Sequence, residues 1–295
     1  MKKISIIVLS YQHEKYISQN LESIFMQKIN FPVELIICDD ASKDGTDAII
    51  KKCILKAPEG FTIKYTRHKS NKGATPNFYY ALQQVTGDFL SLCEGDDYWT
   101  DQYKLETQYN FLISHPEYAM CFHQTINISS IPELNGSLFS IVEDRDYSAF
   151  EIYKHWQVHT TGVMMKTEVL KGKVLNEMLK HQDLLYFDTI LYMSASNYGK
   201  IKGIPQLMSA YRRHDIGISH GINYKRDLKH NELDEIIGEL FDIDIKHLSD
   251  WLIFSRSRIA FFKLLKLRNF SLAFNHLKWM IKKKRNLKIY LKSQL

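Results

Sequence analysis

Apolar positions along the first hundred residues come in blocks rather than singly. Ile4–Leu9, Val33–Cys38 and Phe89–Cys93 are nearly continuous apolar runs of strand length, the pattern of strands covered on both faces of a parallel sheet. Phe61–Thr66 reads as a further strand. Between these runs the spacing turns helical. Tyr16, Ile17, Leu21, Ile24 and Phe25 predict a helix within Glu14 to Met26, and Asp44 to Leu55 predicts another, opened by acids that suit its positive end. A third spans Asn77 to Val85, with Thr75 as the capping hydroxyl, Pro76 at the first helical position and Gly87 as the break. The order β-α-β-α-β-α-β implies a mainly parallel sheet with right-handed crossovers, an α/β class.

The second half is less regular. Tyr103 to Ile113 predicts a helix with Leu105, Tyr109 and Leu112 on one face, and Tyr118–His123 and Gly162–Lys166 read as strands. Phe187 to Tyr198 predicts a helix closed by Gly199. Lys200–Ile204 and Leu207–Arg212 read as two short strands. Near the end, Phe270, Ala273, Phe274, Leu277 and Ile281 follow a 3.6 period, and such stripes are expected to pack on one another and on the rest of the chain. The organisation expected is a domain over 1–225 and a helical appendage over 226–295.

Composition narrows the class. The 295 residues are 45% hydrophobic and 24% charged, ordinary for a soluble globular protein. No apolar run reaches the roughly 20 residues that cross a bilayer. Met1-Lys2-Lys3 before an apolar stretch looks like a secretion signal, but the stretch is short, polar residues follow from Ser10 and no small-residue cleavage site appears, so it reads as the first strand. Cys38, Cys53, Cys93 and Cys121 form no CxxC pair, which fits reduced thiols in a cytoplasmic protein better than disulfides or zinc. Charge is segregated: residues 251–295 hold twelve Lys or Arg and no Asp or Glu, leaving 27 bases against 33 acids before them. A basic tail of this kind suits an anionic partner.

The candidate chemistry lies at the strand ends. Phe89–Cys93 runs straight into Glu94, Asp96 and Asp97, and Val33–Cys38 into Asp39-Asp40. Carboxylates at the carboxyl ends of buried strands are costly without a positive charge among them, and in an open α/β sheet that edge binds ligands. A divalent cation carrying a phosphorylated ligand satisfies both. There is no GxxxxGK[ST] loop and no GxGxxG after the first strand, which weighs against P-loop hydrolases and dinucleotide dehydrogenases. A receiver-like phosphorylation site expects its paired acids after the first strand, whereas here they follow the second.

Ser10-Tyr11, Asp39-Asp40-Ala41-Ser42-Lys43-Asp44-Gly45-Thr46, Asn71-Lys72-Gly73, Asn77 and Glu94-Gly95-Asp96-Asp97-Tyr98-Trp99 together resemble the family 2 glycosyltransferases of the GT-A fold. The resemblance runs in order over about the first 120 residues and resumes from about 180 to 220. It implies a Rossmann-like, mainly parallel sheet and an inverting, metal-dependent transfer of a sugar from a nucleotide-diphosphate donor, UDP first, to a hydroxyl of a glycan or lipid-linked acceptor. The implied setting is assembly of bacterial surface polysaccharide, in the cytoplasm or at the cytoplasmic face of the membrane. Asp96 and Asp97 then hold Mn²⁺ or Mg²⁺ and contact the ribose, while Glu94 stands where many relatives have Asp. Asp39 recognises the base, with Ser10 and Tyr11 lining its pocket. Asp40 is either its neighbour there or a cap for the Ser42–Thr46 turn, and Lys72 either reaches the nucleotide or is a solvated loop lysine.

For the acid–base step the resemblance points to Asp188 ahead of Asp183, from the spacing to Gly199-Lys200-Ile201 and Tyr211-Arg212-Arg213-His214. It places Arg212 near the donor phosphates and makes His214 a candidate metal or diphosphate ligand. The two glycines and few apolar residues of His214 to Tyr224 make that stretch a candidate lid. His159-Thr160-Thr161 is either an acceptor border or a plain turn. The basic tail has three readings: packing on the chain, contact with an anionic membrane, or nucleic-acid binding, the last without any recognition motif. Its apolar stripes would also serve a homodimer. The rival functions are a sugar-phosphate nucleotidyltransferase, whose glycine-rich basic loop is absent after strand one, and a non-catalytic nucleotide-sugar-binding scaffold.

Overall fold

The computed structural model describes residues 1–214 and 223–284. Of these, 1–183 with 191–214 form one compact unit, and 184–190 with 223–284 a second.

The first unit opens with β1 (Ile4–Ser10), α1 (Ile17–Phe25), β2 (Val33–Asp39), α2 (Thr46–Ile54), β3 (Phe61–Arg67), α3 (Ala74–Gln83) and β4 (Phe89–Leu92). It continues with β5 (Tyr98–Trp99), α4 (Lys104–Ser114), β6 (Tyr118–Ser129), α5 (Ala149–His155), β7 (Val163–Lys166) and α6 (Lys173–Met178). Next come α7 (Asp188–Ser194), which spans the division between the units, and β8 (Lys200–Arg213). The eight strands form one sheet in the order β3-β2-β1-β4-β7-β6-β8-β5. The four strands from β3 to β4 are parallel, β7 is antiparallel to both its neighbours, and β6 runs parallel to β8. This is the mixed, mainly parallel α/β sheet expected. Every residue of β2 and β4 is buried, because helices cover both faces. On one face Ile17, Leu21 and Ile24 of α1 join Ile4, Ile6, Val8, Leu35, Ile37 and Trp99 in the main core.

Three local expectations are corrected. α3 begins at Ala74 with Gly73 as its N-cap, at φ 92°, so Thr75 is not the cap. The left-handed backbone there suits glycine, and Asp40 holds the turn as described below. The two short strands over 200–212 are one strand of fourteen residues. Pro205, lacking an N–H, breaks the ladder without ending it, and the pairing with β6 steps from His123↔Ile204 to Gln124↔Leu207, leaving two residues as a bulge. The helix expected to Tyr198 ends at Ser194 and tightens into a 3-10 turn over Ala195–Asn197.

The amino-terminal edge of the sheet is closed by an ionic cluster. Glu34 interrupts the apolar run of β2, yet only 2% of its side chain is exposed. It accepts hydrogen bonds from Ser5 Oγ and from Thr86 N and Oγ1, the latter two at 2.6 Å, and pairs with Lys64 at 3.1 Å and Lys3 at 3.3 Å. Burial opposes its charge, but these partners outweigh burial and bring the carboxyl to about 2. The folded value lies below the ordinary 4.5, so this stabilisation is full above that pH and is lost as pH falls towards 2. Glu34→Gln is expected to remove that share of the acid sensitivity and to lower stability at neutral pH by on the order of 2 kcal/mol; urea unfolding across an acid pH series checks both.

The second unit carries α8 (Tyr224–Leu240), α9 (Ile243–Lys266) and α10 (Phe270–Lys283). Ala260, Leu264 and Ala273 form a small apolar cluster between α9 and α10. The stripe expected to pack does so only at Ala273: Phe270, Phe274 and Ile281 are exposed and Leu277 is half-buried. The 3.6 period was correct, but the buried side of α10 is the one bearing Ala273, His276 and Lys283. There Lys283 meets Glu235 and Asp250. No described helix is long and apolar enough to cross a membrane.

Candidate active site

Three parallel strands end side by side at the carboxyl edge. Ser10 lies opposite Asp39, Asp40 N donates to Ser10 O at 2.9 Å, and beyond β4 Cys93 N donates to Ile7 O and Gly95 N to Leu9 O, at 3.0 and 2.8 Å. β1 sits between β2 and β4, so the connections leave it in opposite directions, the place where open α/β sheets bind ligands.

On the β2 side, Asp39 is fully buried. Its Oδ1 accepts from Ser42 N at 3.1 Å and from Ser42 Oγ, and its Oδ2 faces Arg67 Nε at 3.3 Å. Among the described residues neither Asp39 Oδ2 nor Ser10 Oγ, both buried, makes a hydrogen bond, so at the adjoining ends of β1 and β2 one hydroxyl is unpartnered and one carboxylate oxygen has only the Arg67 ion pair. Tyr11 is 39% exposed at the rim, and its hydroxyl accepts from Gln12 Nε2 at 3.2 Å. Gln12 and Ala41, at φ 57° and 60°, turn the chain sharply after β1 and β2, a left-handed backbone that costs free energy in non-glycine residues. Asp40 does not cap the Ser42–Thr46 turn. Its two oxygens accept from Lys72 N at 2.7 Å and Gly73 N at 2.8 Å, while Asp39 and Asp44 hold the Ser42–Thr46 turn. Lys72 extends its ammonium over the Tyr80 ring, 5.4 Å from the centroid.

On the β4 side, residues 93–99 form a tightly tethered loop. Asn20 of α1, fully buried, donates to Glu94 O at 2.8 Å and Asp97 O at 2.9 Å. Trp99 N donates to Ser23 Oγ, and its indole N–H to Thr161 O, both at 3.0 Å. Gly95 is required by close approach: a Cβ there would lie 2.7 Å from His13 Nδ1 and 2.9 Å from Leu9 O. Beneath the loop Lys104, fully buried, lies 4.0 Å from the Trp99 ring centroid and donates to Ser91 Oγ.

Held this way, Glu94, Asp96 and Asp97 offer carboxylate oxygens within 4.8 Å of one another. Asp97 is fully buried: Oδ1 accepts from Arg212 N at 2.8 Å, and Oδ2 makes no hydrogen bond among the described residues; His159 Nε2 lies 4.0 Å away, on a ring that burial keeps neutral by lowering it to about 3. Burial, then the charges of Asp96 and Glu94, push the Asp97 carboxyl well above its usual range. Burial also opposes the charge of Asp96 and is the largest single influence, but the His214 hydrogen bond together with the charges of His13 and His214 outweighs it, and the carboxyl titrates below its usual range. His214 Nε2 is 3.0 Å from Asp96 Oδ2, and its ring stacks on Tyr16 with centroids 5.0 Å apart. The Arg212 guanidinium donates to Asp96 O and Gln19 and lies 4.5 Å from the Tyr98 ring centroid. Three converging carboxylates, one with an orphaned buried oxygen, fit a hard divalent cation that takes oxygen ligands.

The expected residues thus fall into two adjoining groups: Ser10, Tyr11, Asp39, Asp40 and Lys72 around β1 and β2, and Asp96, Asp97, Arg212 and His214 around β4 and β8. His159 is buried as the N-cap of a 3-10 turn over Thr160–Gly162, where its Nδ1 lies 3.0 Å from Thr161 Oγ1. Asp188 opens α7, half-buried, in the stretch that clusters with the second unit, and Asp183 is exposed at the end of the first. Of the expected lid, residues 215–222 lie outside the described residues. Sequence reasoning missed three members. His13, whose Nε2 is 3.7 Å from Asp96 Oδ2, had its loop position after Ser10-Tyr11 as a signal. Asn20 had its polarity on the apolar face of α1. Arg67 had only its place at the end of β3.

Comparison with known proteins identifies the family and the fold. The family profile described as "Glycosyl transferase family 2" matches residues 5–172. The chain is similar to the uncharacterised protein Rv1520 of Mycobacterium tuberculosis, 33% identical over 217 residues, covering 74% of this chain and 60% of that protein; it thus spans about 60% of that relative's length. Among solved structures it resembles residues 1–349 of S. aureus TarS in complex with UDP-GlcNAc, with TM-score 0.72, 20% identity, and coverage of 95% of this chain and 81% of that one. It also resembles the mannosyltransferase PcManGT from Pyrobaculum calidifontis in complex with GDP-Man and Mn²⁺, with TM-score 0.57, 14% identity and coverage of 99% and 86%. Both likenesses are of fold, and the fold is GT-A. With a family match running from β1 to beyond β7, over the strand ends that carry Asp39, Asp96 and Asp97, the chain belongs to glycosyl transferase family 2.

Proposed function

We propose that the chain is an inverting, metal-dependent glycosyltransferase that moves a sugar of the hexosyl or N-acetylhexosaminyl class from a UDP-linked donor to a hydroxyl of a glycan or lipid-linked acceptor. The observation that carries this reading is the buried Asp97 carboxylate, one oxygen orphaned and two further carboxylates beside it, at the ligand edge of a family 2 fold. The UDP-GlcNAc bound by TarS and the Mn²⁺ beside GDP-Man in PcManGT support the choice of donor and ion.

Asp39 accepts from a ring N–H of the base, with Ser10 and Tyr11 lining its pocket, and Lys72 and Arg212 lie towards the phosphates. Asp96 and Asp97, with Glu94 and His214 beside them, would hold Mn²⁺ or Mg²⁺, which neutralises the charge of a departing diphosphate as a Lewis acid. Asp188 takes the acceptor hydroxyl's proton. The oxygen then bonds to the anomeric carbon from the face opposite the nucleotide, and the C–O bond to phosphate breaks with its electron pair leaving on the diphosphate. One such displacement inverts configuration. Residues 1–225 form the catalytic domain in this reading and 226–295 the appendage, with the protein at the cytoplasmic face of the membrane in surface-polysaccharide assembly.

The test is Asp188→Asn. Turnover, measured as UDP release from a panel of UDP-sugars with acceptor glycans, is expected to fall about 10²–10⁴-fold while UDP binding is unchanged. Unchanged turnover would remove Asp188 from the mechanism and return attention to Asp183.

A further inference from the structure

α9 and α10 form a hairpin joined by three residues, 267–269. One side of α9 is buried through Ile253, Ser257, Ala260 and Leu264. Around the tip the chain turns its apolar residues outward instead: Phe262 is 56% exposed, Leu267 66%, Phe270 64% and Phe274 57%. Single exposed apolar residues are ordinary, but these are spaced i, i+4 on α10 and lie within two turns of one connection. Every residue from Leu265 to Ser271 is exposed, including Lys266 and Arg268. No Asp or Glu occurs from residue 251 onwards.

We propose that this hairpin tip docks on an anionic lipid bilayer, with Leu267, Phe270 and Phe274 entering the interface and Lys263, Lys266 and Arg268 meeting lipid phosphates. The proposal gives the membrane location proposed above a definite surface, and it needs nothing of the donor site. Two features select a bilayer among possible occupants. A second copy docked tip to tip would bring bases against bases, since residues 251–295 hold no acid, so charge opposes that contact. Nucleic-acid surfaces reward bases and polar side chains but leave exposed leucine and phenylalanine without a partner, whereas the interface of an anionic bilayer takes both apolar and basic groups.

The experiment is co-sedimentation of the full chain with vesicles of phosphatidylcholine alone and of equimolar phosphatidylcholine and phosphatidylglycerol. Binding is expected only to the anionic vesicles, and to weaken with salt. The triple change Leu267→Ser, Phe270→Ser, Phe274→Ser and the charge reversal Lys266→Glu, Arg268→Glu are each expected to lower the partition coefficient about tenfold or more. Leu55→Ser, at a leucine on the first unit more exposed than any of these, should not change it. Melting temperature reports folding, and the charge reversal leaves the apolar residues intact should the triple change unfold the tip. No binding by the wild type, or equal binding by the folded variants, overturns the proposal. So does a concentration-dependent dimer that the serine variant dissociates, since the surface would then belong to a second copy. Stabilisation by UDP in the same preparations reads the donor site separately, so failure of one does not imply failure of the other.

Discussion

Replacing Asp97 by asparagine is expected to abolish metal-dependent nucleotide binding and to lower turnover by about 10²–10³-fold, the scale of losing one preorganised electrostatic group in a dry site. The same change should stabilise the metal-free protein. Asp97 is fully buried, one of its oxygens has no hydrogen bond among the described residues, and burial with the charges of Asp96 and Glu94 pushes its carboxyl well above the usual range. A raised folded-state value means that the ionised group costs stability, increasingly so as pH rises from the unfolded value through the folded one. Asparagine keeps an oxygen for the Arg212 N–H and removes the charge. Loss of function with a higher melting temperature separates a site built to receive a cation from an acidic turn of purely structural use, where the variant would lose stability instead. Activity assays and thermal melts of the metal-free protein, run on the same preparation, decide it.

The second large effect belongs to Lys104. No part of this side chain is exposed, and burial lowers its ammonium to about 7. Its folded-state value thus lies below the ordinary 10.5, so the unfolded chain binds more protons between those values and wild-type stability should rise with pH across that window. Lys104→Met keeps an apolar stem against Trp99 and removes the buried charge. It is expected to raise stability at neutral pH by about 1–4 kcal/mol and to flatten the rise between pH 7 and 10.5. Because Trp99 closes the acidic loop through Ser23 and Thr161, nucleotide affinity reports whether the ammonium also positions that loop. Denaturant unfolding at a series of pH values measures the first effect and calorimetric titration with UDP the second.

Much of the first unit was legible because its physics is local. Strands such as Val33–Asp39 are covered on both faces and read as apolar runs, and the acids that end them stand out against that background. Asp39, Asp96 and Asp97 therefore declared themselves. Asp40 did not, since its partners are backbone amides 32 and 33 residues downstream, a separation that no local pattern carries. His13, Asn20 and Arg67 escaped for the same reason: each matters through a residue on another element. β8 was divided in two because Pro205 signals an end to pairing, whereas the long partner strand β6 absorbs it as a bulge. On α10 the period was right and the covered side wrong, because periodicity defines an apolar stripe without saying what packs on it.

In the function proposed above, the carboxyl edge of this sheet binds a nucleoside diphosphate through a divalent cation. Thermal melts with UDP, GDP, CDP, dTDP and CMP, each with and without Mn²⁺, test it most directly, since a ligand that binds only the folded state raises the melting temperature by mass action. Such a site should give stabilisation by UDP that requires Mn²⁺ and disappears in Asp96→Ala, Asp97→Ala. Stabilisation by no nucleotide, or stabilisation that survives without metal and in that double variant, would contradict it.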